Sequence, residues 1–341
     1  MHVPDPPHVH LRNRLLACVG VCDETRRHPV SSTSLRSLPA QLRSYGRDLD
    51  MNPDAIGELR DSSASADDVA VLRTRMQQDG YLYLPGYLDR EEVLSARRDI
   101  TRRLADEGHL DPRFPHDEAV VAEDADIDFK KRADLALASQ PLQRLLYSRT
   151  GRIMQFFAGF LGGDVHHFEY TWLRTVPPGT GTYPHGDAVF MNRGTKNLFT
   201  AWTPLGDISY EMGGLIMLEG SHQHRSVKQD YGRRDVSEYC SNHADAEDYA
   251  SGRKTWKGEV SDDAAELRAQ LGGRWLTDEF RAGDLLVFGI YMLHASLDNH
   301  TSAFRLSSDS RYQLASDSID PRWIGEDPIA YGPSLRKGMV C

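Results

Sequence analysis

Residues 283–294 read Gly283-Asp284-Leu285-Leu286-Val287-Phe288-Gly289-Ile290-Tyr291-Met292-Leu293-His294. Gly-Asp marks a turn, and the apolar run behind it reads as a core strand that continues to a histidine at its end. Further short β-prone runs surround it, near 166–176, 187–191, 198–204, 214–219 and 304–313, each punctuated by Gly, Pro or Asn. Strands of this length without amphipathic helices between them favour a sandwich or jelly roll over a parallel α/β sheet. The charged stretch 222–282 interrupts the pattern and reads as a long insertion, either a lid or substrate loop or a solvated excursion with no role.

Upstream the texture is helical. Val69, Leu72 and Met76 share one helical face, and Asp79-Gly80 ends that helix with a residue suited to positive φ. Tyr81-Leu82-Tyr83-Leu84 follows as a short strand closed by Pro85-Gly86. Asp89, with Glu92 three residues on, caps a second helix whose buried stripe is Val93, Ala96, Ile100 and Leu104. A third helical stretch runs near 141–160 with a break at Gly151. Residues 1–66, rich in Pro, Ser, Arg, Asp and His, lack sustained periodicity and read as a poorly structured or partly packed extension. The expected organisation is that extension followed by one domain over 67–341, mainly β with flanking helices.

Composition narrows the partners. The chain has 341 residues, 40% hydrophobic, which suffices for a substantial core, and no run approaches the roughly 20 apolar residues of a membrane span. A net charge of -10 with dispersed Lys and Arg argues against nucleic acid. Four cysteines, Cys18, Cys22, Cys240 and Cys341, suggest no disulfide framework and hence a reducing, cytoplasmic setting. Cys18 and Cys22 lack the second pair that a tetrahedral metal site requires. Oligomeric state is open between monomer and homodimer.

Two short segments carry chemistry. In Tyr183-Pro184-His185-Gly186-Asp187, the His and Asp are two apart, so on an extended strand both side chains leave one face and one metal can take both. With His294 they make a 2-His-1-carboxylate set, the facial arrangement that suits iron(II) and leaves positions open for other ligands. An HxD pair alone is common by chance, and His185 could equally be a hydrogen-bonded surface residue. Eleven residues after His294, Phe304-Arg305 opens another strand, and a guanidinium there can grip a carboxylate bidentately or serve in an ordinary surface salt bridge. His166 and His167 are adjacent and face opposite ways, one to the core and one to solvent. His222 and His224 have ligand spacing but no carboxylate partner. Arg225, Lys228, Arg233 and Arg234 form a local basic cluster that is either a solvated face or a guide for an acidic substrate.

Taken together, these segments resemble the phytanoyl-CoA dioxygenase family of iron(II), 2-oxoglutarate-dependent oxygenases. The resemblance spans about residues 67–313 and rests on Asp79-Gly80-Tyr81, Leu84-Pro85-Gly86, His185-Gly186-Asp187, Ala201-Trp202-Thr203-Pro204, Gly213-Gly214-Leu215, Gly220-Ser221-His222, Gly283-Asp284, His294-Ala295-Ser296 and Phe304-Arg305. It implies a double-stranded β-helix core, iron held by His185, Asp187 and His294, and 2-oxoglutarate anchored by Arg305 with contacts from Trp202, Ser296 and Trp172. It further implies that dioxygen and 2-oxoglutarate are consumed, that succinate and carbon dioxide are released, and that a small organic substrate is hydroxylated. Asp187 stands where related halogenases leave room for chloride, so halogenation is not expected. Glu219, where relatives commonly have proline, and the 222–282 stretch depart from the family pattern. Two rivals remain at this stage: a cupin-type metalloenzyme that uses no keto acid, for which Arg305 would have no task, and a non-catalytic small-molecule receptor.

Overall fold

The computed structural model describes residues 38–125, 130–326, 328 and 336–341. Cys18 and Cys22 lie outside the described residues.

Local signals in the helical half act as expected. Helix Val69–Asp79 starts on Asp68, whose carboxylate accepts the Val71 N–H at 3.1 Å, and stops at Gly80 with φ of 78°. A side chain at Gly80 would strike His222, so both the backbone angle and the space demand glycine. Helix Arg90–Asp106 is capped by Asp89, which accepts from Glu92 N at 2.9 Å, and buries Val93, Ala96, Ile100 and Leu104. The stretch near 141–160 is two helices, Gln140–Tyr147 and Arg152–Leu161, parted at Gly151.

Two sheets form the double-stranded β-helix core. The larger runs in the order Tyr81–Leu84, Leu285–Gly289, Phe199–Pro204, Arg305–Leu314, Trp172–Val176 and Lys130–Lys131, with Val165–His167 pairing the far end of Arg305–Leu314. The smaller runs His294–Ser296, Leu215–Leu218, Trp275–Thr277, Ile56–Glu58. Strand Leu285–Gly289 shows why its sequence is apolar without alternation: both of its faces are covered. Leu285 and Val287 pack under the helices with Phe157, Leu146 and Ile100, whereas Leu286 and Phe288 point between the sheets with Trp202, Met217 and Leu276. Asp284 fixes the entry to that strand by accepting from Tyr83 Oη at 3.0 Å, Gly86 N at 2.8 Å and Arg281 N at 2.8 Å. The Gly-Asp signature is therefore a three-donor turn clamp.

Four expectations need correction or refinement. The β-prone run 187–191 is not a strand: Asp187–Val189 is a 3-10 turn, because Ala188 N bonds to Ile290 O and Phe190 N returns to Asp187 O. The 222–282 stretch is not one excursion, since Trp275–Thr277 lies inside the smaller sheet with Trp275 buried. Charge elsewhere in the stretch masked a three-residue strand too short to show periodicity. Cys240 and Cys341 are joined in a disulfide, 101 residues apart, where strand Lys337–Met339 pairs in parallel with Glu238–Cys240. No local spacing announces a bond of that separation. Finally, residues 38–66 are built into the body: Leu42, Leu49, Ile56 and Leu59 are buried, and Ser44 Oγ donates to Ser296 O at 2.9 Å.

A chain started at Met51 loses Leu42, Leu49 and the Ser44 bond beside the site. At about 1.5–3 kcal/mol per buried leucine, it should be destabilised by roughly 3–6 kcal/mol relative to the full chain, measured by urea unfolding.

Candidate active site

Three donors converge between the sheets. His185 and His294 sit opposite each other in an antiparallel bridge, with His185 N donating to His294 O at 2.9 Å and His294 N to His185 O at 2.8 Å. Asp187 follows two residues later at the start of the 3-10 turn. All three side chains are buried, and one ligand atom from each lies within 4.8 Å of the other two, an arrangement able to hold a metal ion.

Hydrogen bonding sets which donor atoms remain free to hold a metal. His185 Nδ1 lies 2.9 Å from Tyr183 O and His294 Nδ1 lies 3.0 Å from Met292 O. A carbonyl only accepts, so each Nδ1 carries the proton and each Nε2 lone pair is bare. Asp187 Oδ2 accepts from Thr200 Oγ1 at 2.6 Å and from Arg311 Nη2 at 3.0 Å, which leaves Oδ1 for a cation. Burial, with His294 close by, pushes the His185 imidazole well below its ordinary range, and burial does the same to His294. Burial alone would raise the Asp187 carboxyl, but the Arg311 charge, aided by the Thr200 hydrogen bond, outweighs it and holds it below the usual carboxylate range. The result is two neutral imidazoles and one anion, the protonation state a divalent cation needs.

Strand Arg305–Leu314 supplies the rest. Its odd-numbered residues Arg305, Ser307, Asp309 and Arg311 share one face, and Leu306 and Tyr312 pack on the other against the helices. Arg305 is buried, donates from Nη1 to Ser307 Oγ at 2.9 Å, and leaves Nε without a partner. Burial lowers it to about 10, against the nearby Asp309 charge. Asp309 does not neutralise it, being paired with Arg174 at 2.8 Å. An unpaired guanidinium in a dry interior costs several kcal/mol unless an anion meets it, so Arg305 fits the carboxylate of a co-substrate. Trp202, buried with Nε1 unpartnered, adds a second orphan donor.

The other expected contacts are placed as follows. Trp172 is buried with the Arg311 guanidinium 4.4 Å above its ring, and it packs against Tyr170 and Trp323. Ser296 Oγ accepts from Thr182 N at 2.8 Å, so its hydroxyl is engaged with the loop before His185. His222 turns to Gln77 O and His224 to Ser226, so they form no ligand pair. His166 and His167 are both half-buried rather than one core and one solvated, and His167 stacks on Tyr147 at 4.1 Å. Arg311 and Thr200 were missed. Arg311 was within reach of sequence reasoning: six residues after Arg305, it must share that residue's face on any strand.

A jelly roll with this donor set and an orphan inward arginine defines an iron(II), 2-oxoglutarate-dependent oxygenase, an enzyme whose cofactors are iron(II), 2-oxoglutarate and dioxygen. The phytanoyl-CoA dioxygenase (PhyH) model matches residues 76–307, and the chain belongs to that family. It is 26% identical over 273 residues to 1-deoxypentalenic acid 11-beta-hydroxylase of Streptomyces exfoliatus, covering 77% of this chain and 87% of that protein. Its fold is similar to the epimerase SnoN in complex with Fe3+, alpha ketoglutarate and nogalamycin RO, with a TM-score of 0.52, 22% identity, and coverage of 77% of this chain and 93% of that one. EctD from S. alaskensis with 2-oxoglutarate and 5-hydroxyectoine gives a TM-score of 0.53 at 16% identity, covering 89% and 97%.

Two outcomes are expected. Arg311→Met should weaken iron(II) binding by roughly 10- to 100-fold, as loss of a partner that orients a ligand does, measured by anaerobic metal titration. For the metal-free protein, both imidazoles have folded values below their unfolded ones, so the unfolded chain binds more protons and stability falls with pH. The loss should run at about 1.4 kcal/mol per pH unit per imidazole below roughly pH 6.5, seen as a falling Tm between pH 7.5 and 5.5. The depressed Asp187 contributes its loss only below the unfolded carboxylate range, at about pH 4.

Proposed function

We propose that this protein hydroxylates an unactivated C–H bond of a small organic molecule, with His185, Asp187 and His294 holding iron(II) and Arg305 holding the distal carboxylate of 2-oxoglutarate. The observation that carries this reading is the combination of a buried three-donor cluster with a buried arginine that, among the described residues, lacks an anionic partner. When bound, iron and the keto acid supply oxygen activation, with 2-oxoglutarate converted to succinate and carbon dioxide.

The protein's own residues orient and protect. Tyr183 O and Met292 O fix the two imidazole rings, while Thr200 and Arg311 hold Asp187 by one oxygen and keep the other free. Arg305 and Ser307 set the depth of the co-substrate. Trp202, Leu286 and Phe288 form the dry end of the interior, which strengthens each charge contact. Supporting the hydroxylase outcome are the carboxylate at Asp187, which fills the position a halide would need, and the similarity to a hydroxylase. A monomer or homodimer acting on a small molecule, without nucleic acid, fits the net charge of -10. Among the described residues, no helix is long and apolar enough to cross a membrane, which suits a cytoplasmic setting, whereas the Cys240–Cys341 disulfide suits an oxidising one.

Anaerobic addition of iron(II) and then 2-oxoglutarate should raise the weak visible charge-transfer band of a keto-acid chelate. Arg305→Met should keep iron binding and raise the 2-oxoglutarate Kd by about 10²–10³-fold, the loss of one bidentate charge-assisted pair worth roughly 3–4 kcal/mol. An unchanged Kd in that variant would remove Arg305 as the residue that holds the co-substrate carboxylate.

A further inference from the structure

We infer that Tyr231 is a positioning residue of the metal centre: its hydroxyl, inserted between Gly186 and Gly258, sets where the paired segment carrying His185 ends and so aims Asp187. This rests on the metal-site reading above and gives the 222–282 stretch a task.

The segment that carries two of the three donors is held along both edges. On one edge His185 exchanges two main-chain bonds with His294. On the other, His185 lies opposite Glu259 in an isolated antiparallel bridge, and Val260 N donates to Pro184 O at 2.9 Å. In a ladder of that kind the matching bond runs from Gly186 N to Gly258 O. Here the Tyr231 hydroxyl stands in that rung, accepting from Gly186 N at 2.9 Å and donating to Gly258 O at 2.6 Å. Gly186 O is farther away, at 3.2 Å, so the one phenolic proton goes to Gly258.

An oxygen in the rung parts the two segments by an extra hydrogen-bond length, and the bridge at His185 is not extended. One residue later the chain turns: Asp187–Val189 is the 3-10 turn, with Ala188 N on Ile290 O. That turn delivers Asp187 to Thr200 and Arg311. His185 is thus fixed by pairing, and Asp187 by the place where pairing stops.

The relay is held on every side. Tyr231 is buried, and Trp256 meets its ring edge-on at 5.9 Å while donating from Nε1 to Glu259 O at 3.0 Å. Gly258 has φ of 90°, and a side chain there would strike Phe190, whose ring stands edge-on to His185 at 5.9 Å. Glycine is what lets the Gly258 carbonyl reach the hydroxyl. Tyr183 Oη donates to Lys257 O, a further tie between the two segments. Burial holds the phenol above its ordinary range, so it stays a donor.

The test is Y231F in the full chain, which keeps the ring and removes the relay. Anaerobic titration should give an iron(II) Kd about ten-fold weaker, the low end for loss of a group that orients a ligand. At saturating iron(II) and 2-oxoglutarate the visible chelate band should move, a change that a residue serving stability alone would not cause. Y239F, on strand Glu238–Cys240 of the same stretch, should leave both unchanged. An iron(II) Kd within about two-fold of the unaltered protein's, a weaker Kd with an unmoved band, or equal effects in Y239F would each overturn the proposal. Failure of the unaltered protein to bind iron(II) would instead remove the metal-site reading, and this proposal with it. Should Y231F not fold, hydrogen exchange on the unaltered protein decides: by reciprocity, iron(II) should slow exchange in peptides covering 229–233 and 256–260 as well as 183–190. Protection that does not reach 229–233 would overturn the proposal.

Discussion

The buried charge on strand Arg305–Leu314 is the constraint on which the structure turns. Arg305, Asp309 and Arg311 lie at alternate positions on a face that the fold removes from water, and each must meet an opposite charge or remain costly. Arg311 is met by Asp187 and Asp309 by Arg174. Arg305 has no such partner among the described residues. The interior between the sheets is therefore divided in two. One end, around Trp202, Leu286, Phe288 and Met217, is ordinary apolar core, and the other is a charge ladder whose last rung is left open.

That division accounts for the donor cluster. Asp187 can be both anionic and buried because Arg311 and Thr200 compensate it, and the imidazoles stay neutral because burial disfavours their charged form, while backbone carbonyls two residues upstream accept the Nδ1–H bonds and fix the tautomer. The cluster is set by main-chain pairing of His185 against His294 more than by side-chain rotamers, which makes its geometry a property of the sheet edge.

Much of this was legible in the sequence, for identifiable reasons. Caps such as Asp68 and Asp89 act locally, and the apolar run 285–288 can only be a strand covered on two sides. The HxD spacing pointed to the convergence of His185 and Asp187 with His294, although Asp187 leaves from a 3-10 turn and not from a strand. What stayed hidden was non-local. Trp275–Thr277 owes its place to partners at Leu218 and Ile56, not to its own neighbours, and the bond between Cys240 and Cys341 depends on a pairing that no window of sequence contains. Asp187–Val189 fails as a strand because Ile290 O takes the Ala188 N–H and Tyr231 holds Gly186 just before it. Arg311 shares the face of Arg305 on one strand, but its partner Asp187 lies far away in sequence, so no local window marks the pair.

The order in which the chain is made adds one consequence. Asp187 leaves the ribosome well before Arg311, and the strand that brings Arg311 to it is the last long strand of the larger sheet. Until that strand docks between Phe199–Pro204 and Trp172–Val176, the cluster lacks its compensating charge and the sheet lacks its middle. Completion of the donor cluster is thereby placed after synthesis of the domain. A nascent chain carries only separated donors, and a charge-compensated cluster able to hold a metal exists only in the finished barrel.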